Sequence, residues 1–282
     1  MIGLEDRFID INGYKTRYWL SGNSESIILL LHGFAFSVEI WESNIHELSK
    51  NHKVIALDLL GFGLTDKPKG KQKIEDFPLF VFEFLKKMSI QKVHIVGHSM
   101  GGLIATKMAE MHPEVIESLV LLGSAGFSKN IPMHFRIFSL PFIGEMFVKP
   151  NKRGLMSALR KNTYVKSAVT PKLADKLFEF SLHPEMGPTL LKITRTAVDF
   201  FGFKGFIIRN IKKDIHKLTM PVLIIWGKED SIIYLDHAYV ANRLIKQSKL
   251  VIFDECGHLP QLEYPEKFNY LLGQFFNVTK KS

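Results

Sequence analysis

The sequence predicts an α/β fold: a mostly parallel central sheet flanked by helices, with an inserted helical lid. Three observations carry this reading. Short, continuously apolar segments alternate with helical ones, the pattern of strands buried on both faces of a parallel sheet. The alternation breaks off after Leu122-Gly123-Ser124 and resumes only at Pro221. A chain of 282 residues, 46% hydrophobic, is ample for one large domain carrying an insertion.

Taken in order, residues 7–11 and 15–20 form a hairpin about Asn12-Gly13, a strong two-residue turn signal. Strands follow at 27–31, 53–57, 93–96 and 118–122, with helices near 41–49, 76–87 and 99–112. From Phe127 to Lys217 only helical segments are expected, punctuated by Pro132, Pro141, Pro150, Pro171, Pro184 and Pro188. Strands at 221–227 and 249–253 complete the sheet. The expected boundaries are 1–126 for the first part of the core, 127–217 for the lid and 218–282 for the second part.

Charge is spread unevenly. Segment 127–217 holds 17 Lys and Arg against 6 Asp and Glu, an excess larger than the +9 of the whole chain. It also holds apolar clusters around Phe135, Phe138, Phe142 and Phe147, and around Phe200, Phe201, Phe203 and Phe206. The plain reading is a solvated basic face over phenylalanines that pack the lid and line an apolar pocket. The alternative is attraction to an anionic substrate or weak contact with a membrane surface. No nucleic-acid recognition motif accompanies the charge. No stretch reaches the ~18 apolar residues that span a bilayer, and the first residues lack a signal-peptide pattern. Cys256 is the only cysteine, so a cytoplasmic location is expected.

The chemistry is expected at Gly97-His98-Ser99-Met100-Gly101, a serine between two glycines where a strand turns into a helix. Such an elbow holds the serine in a strained conformation, and a side chain at position 97 or 101 would collide with the neighbouring helix or strand. A serine hydroxyl is a poor nucleophile at neutral pH; it needs a base and a group to orient that base. Glu229 and Asp230 follow one late strand, and His258 follows the next in Cys256-Gly257-His258. Loops after the carboxyl ends of parallel strands share one edge, so the three can meet. Ser99 Oγ is then expected within hydrogen-bond reach of His258 Nε2. His32-Gly33-Phe34 also ends a strand. The N–H groups of Phe34 and Met100 are the natural pair to form an oxyanion hole, worth roughly 3 kcal/mol per donor. No Cys/His spacing fits a metal site.

Five motifs in order carry a resemblance: His32-Gly33-Phe34, Asp58-Leu59-Leu60-Gly61-Phe62-Gly63, Gly97-His98-Ser99-Met100-Gly101-Gly102, Gly227-Lys228-Glu229-Asp230, and Gly257-His258 followed by Glu263-Tyr264-Pro265-Glu266. Together they resemble the α/β-hydrolase superfamily, in its serine esterase/lipase-like branch with a helical lid, over nearly the whole chain. The resemblance implies the α/β-hydrolase fold and a triad of Ser99, Asp230 and His258, with Phe34 and Met100 as the oxyanion hole and no cofactor or metal. Asp230 is preferred to Glu229 because the family places its acid three residues after the glycine matched by Gly227. Ser124 stands where some relatives carry the acid, a role serine cannot fill. Phe34, Ile233 and Leu259 lie beside motif residues and are expected to line the pocket mouth. His32 and His98 read as structural hydrogen-bonders, Asp58 as organiser of the turn at 61–63, and Cys256 as a small buried filler.

Fold does not settle reaction. A serine at position 99 disfavours the dehalogenases and epoxide hydrolases of the superfamily, which use aspartate there. It favours hydrolysis of apolar esters with short-to-medium acyl chains. One alternative is a C–C bond hydrolase acting on ring-cleavage dienoates. The residues Cys256-Gly257-His258, then Gln261, Glu263, Phe268 and Asn269, are similar to that group's C-terminal segment. Leu259 and His98 depart from it, standing where that group usually has tryptophan and asparagine. The other alternative is a slow-turnover ligand sensor on the same fold.

Overall fold

Asn12 and Gly13, at φ 52° and 85°, close the hairpin between β1 (Arg7–Ile11) and β2 (Tyr14–Ser21). Positive φ at both central residues matches the twist of the flanking strands. In the computed structural model, which describes residues 4–70 and 72–279, β3 (Ile27–Leu31), α1 (Glu42–Leu48), β4 (Lys53–Leu57), α2 (Asp76–Lys87), β5 (Val93–His98), α3 (Met100–Met111) and β6 (Ile116–Leu122) follow in turn.

The chain then leaves the sheet for α4 (Met133–Phe138), α5 (Ile143–Phe147), α6 (Lys152–Lys161), α7 (Pro171–Ser181) and α8 (Met186–Ala197). Asn151 and Thr170 cap α6 and α7 by accepting the N–H groups of Gly154 and Leu173. Pro171 occupies the first position of α7, where a missing N–H costs nothing. One correction falls in this segment, for which only helices were expected. Val198–Asp199 (β7) pairs antiparallel with Gly202–Phe203 (β8), and Gly202, directly after the turn, sits at φ 112°. Two residues per strand are too few for an alternating pattern to register. After α9 (Gly205–Asp214) come β9 (Val222–Gly227), α10 (Asp236–Leu244), β10 (Ser248–Phe253), α11 (Pro260–Glu263) and α12 (Pro265–Thr279).

One eight-stranded sheet results, in the order β1-β2-β4-β3-β5-β6-β9-β10. Only β1 and β2 run antiparallel to their neighbours; the other pairings are parallel. Alternate residues serve opposite faces. Leu29, Leu31, Ile55, Leu57 and Ile95 pack with Phe77 and Val81 of α2 and Ile104 of α3. Ile28, Leu30, Val54, Ala56 and Val96 pack with Ile45 of α1 and Phe268 and Phe276 of α12. Burial on both faces explains why the strands read as unbroken apolar runs.

At the antiparallel end of the sheet lies a buried ion cluster. Arg17 of β2 is 1% exposed. It donates to Glu39 Oε1 at 2.7 Å, to Asp58 Oδ2 at 3.2 Å and to Asp6 Oδ1 at 2.7 Å. Asp58 also accepts the N–H groups of Val38 (2.8 Å) and Leu64 (2.9 Å). A Cβ at Gly63 would fall 2.0 Å from Asp58 Oδ2, so the carboxylate sits directly under the 61–63 turn, as expected of its organiser. Burial pushes the Asp58 carboxyl up to about 6, in spite of Arg17. No described helix is long and apolar enough to cross a membrane.

Candidate active site

The turn from β5 into α3 holds Ser99 at φ 55°, ψ −116°, a backbone strain that non-glycine residues rarely bear. Its N–H is tied to Leu122 O at 2.9 Å. A Cβ at Gly97 would lie 2.3 Å from Gly101 O, and one at Gly101 would lie 2.4 Å from Leu31 O. Both glycines are required by the close approach of β5, α3 and the end of β3.

The loops after β9 and β10 bring an acid to the histidine. Asp230 Oδ2 accepts from His258 Nδ1 at 2.7 Å. Asp230 Oδ1 accepts the N–H groups of Ile232 and Ile233, each at 2.9 Å. The neighbouring Glu229 is engaged elsewhere: its carboxylate accepts the Cys256 N–H at 2.9 Å. Of the two carboxylates that sequence offered, Asp230 is therefore the one on the imidazole. His258 keeps Nε2 for a proton, with Nδ1–H on the acid.

Several flanking groups fix this pair. His98 Nε2 donates to His258 O at 2.8 Å, while burial, above all, holds the His98 imidazole well below its usual titration range. His32 donates from Nδ1 to Gly33 O at 2.7 Å and accepts the Leu59 N–H on Nε2 at 3.0 Å. Burial lowers it to about 4, so it stays neutral. Gly123, at φ 51°, leaves room for the pair, since a Cβ there would stand 3.3 Å from both Asp230 Oδ2 and His258 Nδ1. Sequence reading noted Gly123 only as the point where the strand rhythm breaks. Burial pushes the Cys256 thiol far above its ordinary range, which suits a filler and not a second nucleophile.

The serine leg is open. Among the described residues Ser99 Oγ makes no hydrogen bond, to His258 Nε2 or to any other group. Such contacts tighten when substrate fills the site. The N–H groups of Phe34 and Met100 likewise have no protein acceptor among the described residues.

Phe34, Ser99, Met100 and Ile233 line one cavity of about 70 Å³, lined also by Phe135, Ile193 and Phe203 from the segment between β6 and β9. Ser99 and Thr194 are the polar members of its described lining, and none is charged. Phe34 bridges the two sides, with its ring centroid 6.0 Å from that of Phe62 and 6.2 Å from that of Phe135. The volume is well below the roughly 300–1,000 Å³ that encloses a drug-sized ligand. Leu259 was expected at the pocket mouth and is not there. It stands just before α11, fully buried, with its N–H on Glu263 Oε1 at 3.2 Å, outside the cavity lining. The turn after His258 is drawn inward by that bond.

A family profile described as alpha/beta hydrolase fold matches residues 26–265. The chain belongs to that family. The hydrolase is 30% identical over 267 residues to a 2-hydroxy-6-oxo-6-(2'-aminophenyl)hexa-2,4-dienoic acid hydrolase of Metapseudomonas resinovorans, covering 93% of this chain and 88% of the relative. It is 28% identical to an uncharacterized protein of Mycobacterium tuberculosis, over 97% of this chain and 82% of the other. Among solved structures, a meta-cleavage product hydrolase from Pseudomonas fluorescens IP01 superposes with a TM-score of 0.82. It shares 27% identity over 96% of this chain and 97% of its own. The resemblance to dienoate hydrolases seen in the C-terminal motif therefore extends over nearly the whole hydrolase.

One carboxylate of this hydrolase joins the histidine loop to the insertion. Glu263, 6% exposed, accepts the N–H groups of Gly257 at 3.0 Å and Leu259 at 3.2 Å on Oε1, and those of Tyr164 at 2.7 Å and Val165 at 2.9 Å on Oε2. His258 N–H itself donates to Asn162 O at 2.8 Å. Sequence reading caught Glu263 as part of a motif and missed this role, because its partners lie about a hundred residues away. Glu263→Gln puts an NH2 group against N–H donors and leaves some of them unpaired. It is expected to lower stability by about 1–3 kcal/mol, read as the shift of a urea denaturation curve. An unshifted curve would mean that the tether is not held by this carboxylate.

Proposed function

We propose that the protein is a serine hydrolase cleaving carboxylic esters of short-to-medium acyl chains through an acyl-enzyme. The observation that carries this reading is the small, uncharged, apolar cavity lined by Ser99. Ser99 Oγ attacks the ester carbonyl while His258 Nε2 takes its proton, and Asp230 holds the imidazole in the required tautomer. The Phe34 and Met100 N–H groups receive the oxyanion. His258 then returns the proton to the departing alcohol. Water, deprotonated by the same imidazole, attacks the acyl-enzyme and releases the acid and Ser99.

Each acyl methylene buried in the cavity contributes up to about 0.8 kcal/mol, or about fourfold in kcat/KM. With p-nitrophenyl esters of graded length, kcat/KM is expected to climb and then fall once the cavity is full. A flat profile removes the apolar-pocket reading.

The relatives named as dienoate hydrolases favour a second reading, C–C bond hydrolysis of a ring-cleavage product. Such a substrate carries a carboxylate, for which the cavity lining offers no charged partner. A dienoate assayed beside the ester series decides between them. If its kcat/KM exceeds that of the best ester, the second reading replaces the first.

A further inference from the structure

The insertion exposes large apolar side chains at two tips. Phe142, Met146 and Phe147, at and beside α5, are 87%, 74% and 66% exposed, and Phe201, in the turn between β7 and β8, is 80% exposed. Phe142 sits at φ 67°, a backbone strain that non-glycine residues rarely bear. Both tips hang from the end of α8. Arg195, in its last turn, binds both Glu145 carboxylate oxygens of α5 at 2.8 Å and donates to the Ser139 and Leu140 carbonyls. β7 begins at Val198, directly after α8. Ile193, Ala197 and Val198 of this strut line the Ser99 cavity.

Three lysines lie near the tips along the chain, against one acid, Asp199, whose Oδ1 accepts the Phe201 N–H at 2.8 Å. Lys129, whose carbonyl accepts the Phe203 N–H at 3.0 Å, Lys149 just beyond α5 and Lys192 on α8 make no ion pair among the described residues. A second copy of the chain is a poor occupant for this face, because it would set one insertion with 17 basic and 6 acidic residues against another. A surface both anionic outside and apolar inside matches both features.

We propose that the insertion docks on an anionic phospholipid bilayer, with Phe142 and Phe201 seated among the acyl chains and Lys129 and Lys149 at the headgroups. This places the strut that walls the cavity at the lipid interface, and it holds for an ester or a dienoate substrate alike.

The test is co-sedimentation of the full chain with phosphatidylcholine vesicles, with and without phosphatidylglycerol, at low and high salt. Binding is expected to the anionic vesicles alone and to weaken as salt screens the lysines. The double variant Phe142→Ser, Phe201→Ser is expected to bind at least about tenfold more weakly. Its circular dichroism and its kcat/KM on a soluble ester should be unchanged, because neither ring lines the cavity. Absence of binding to anionic vesicles overturns the proposal, as does full binding by the folded double variant. Self-association of the wild-type chain that the double variant abolishes would name a second copy as the occupant and overturn it equally.

Discussion

Ser99→Ala is expected to lose ester turnover by about 10⁴-fold or more while the fold stays intact. The substitution keeps the Cβ and removes only an Oγ that makes no hydrogen bond among the described residues, so no packing or pairing is lost with it. Circular dichroism and a denaturation curve should match those of the wild type, and kcat/KM on the best p-nitrophenyl ester should collapse. An alanine variant with near-full rate would place the nucleophile elsewhere. The same assay separates the two candidate acids. Asp230→Asn removes the acceptor that fixes the His258 tautomer and should cost about 10³–10⁴-fold. Glu229→Gln should be mild, because Glu229 serves the Cys256 N–H and not the imidazole.

Arg17→Met is expected to be the most destabilising single change at neutral pH, by about 3–5 kcal/mol. Methionine fills much of the same volume but leaves Asp58 and Glu39 buried without their countercharge. The loss has a pH signature. Burial already holds the Asp58 carboxyl at about 6, above its ordinary value of 3.8. Between those values the folded state binds a proton that the unfolded chain does not, so this group adds stability as pH falls through the window. Removing Arg17 takes away the attraction that lowers the Asp58 value and widens the window upward. Urea denaturation should therefore show a large deficit at about pH 7 that shrinks toward about pH 5. A deficit independent of pH would mean that Arg17 matters through packing and not through charge.

Legibility in the sequence followed the range of the interactions. Strands such as Ile27–Leu31 and Lys53–Leu57 were readable because burial on both faces makes them continuously apolar. The elbow at Ser99 was readable because its two close approaches demand glycine at fixed offsets. Arg17 was not: on a hairpin strand it reads as an exposed cation, and its partners Glu39 and Asp58 lie 22 and 41 residues on. The hairpin at Val198–Phe203 was too short to leave a period. Leu259 was misplaced because nearness to a motif residue in sequence says nothing of side-chain direction once the chain turns; the Glu263 carboxylate fixes that turn. The cavity's size depends on rings such as Phe34 and Phe135 meeting from distant segments, which no local pattern encodes.

The bonds that run from Glu263 and His258 to 162–165 bear on modular engineering. Substrate range in a scaffold of this kind is an obvious target for transplanting the segment between β6 and β9 from one chain to another. Here the donor segment would arrive with its own backbone at the docking point, and Glu263 would meet N–H groups in the wrong register. A productive graft would have to carry residues 162–165 and the 257–263 turn as one unit, joined at the sheet and not at the surface.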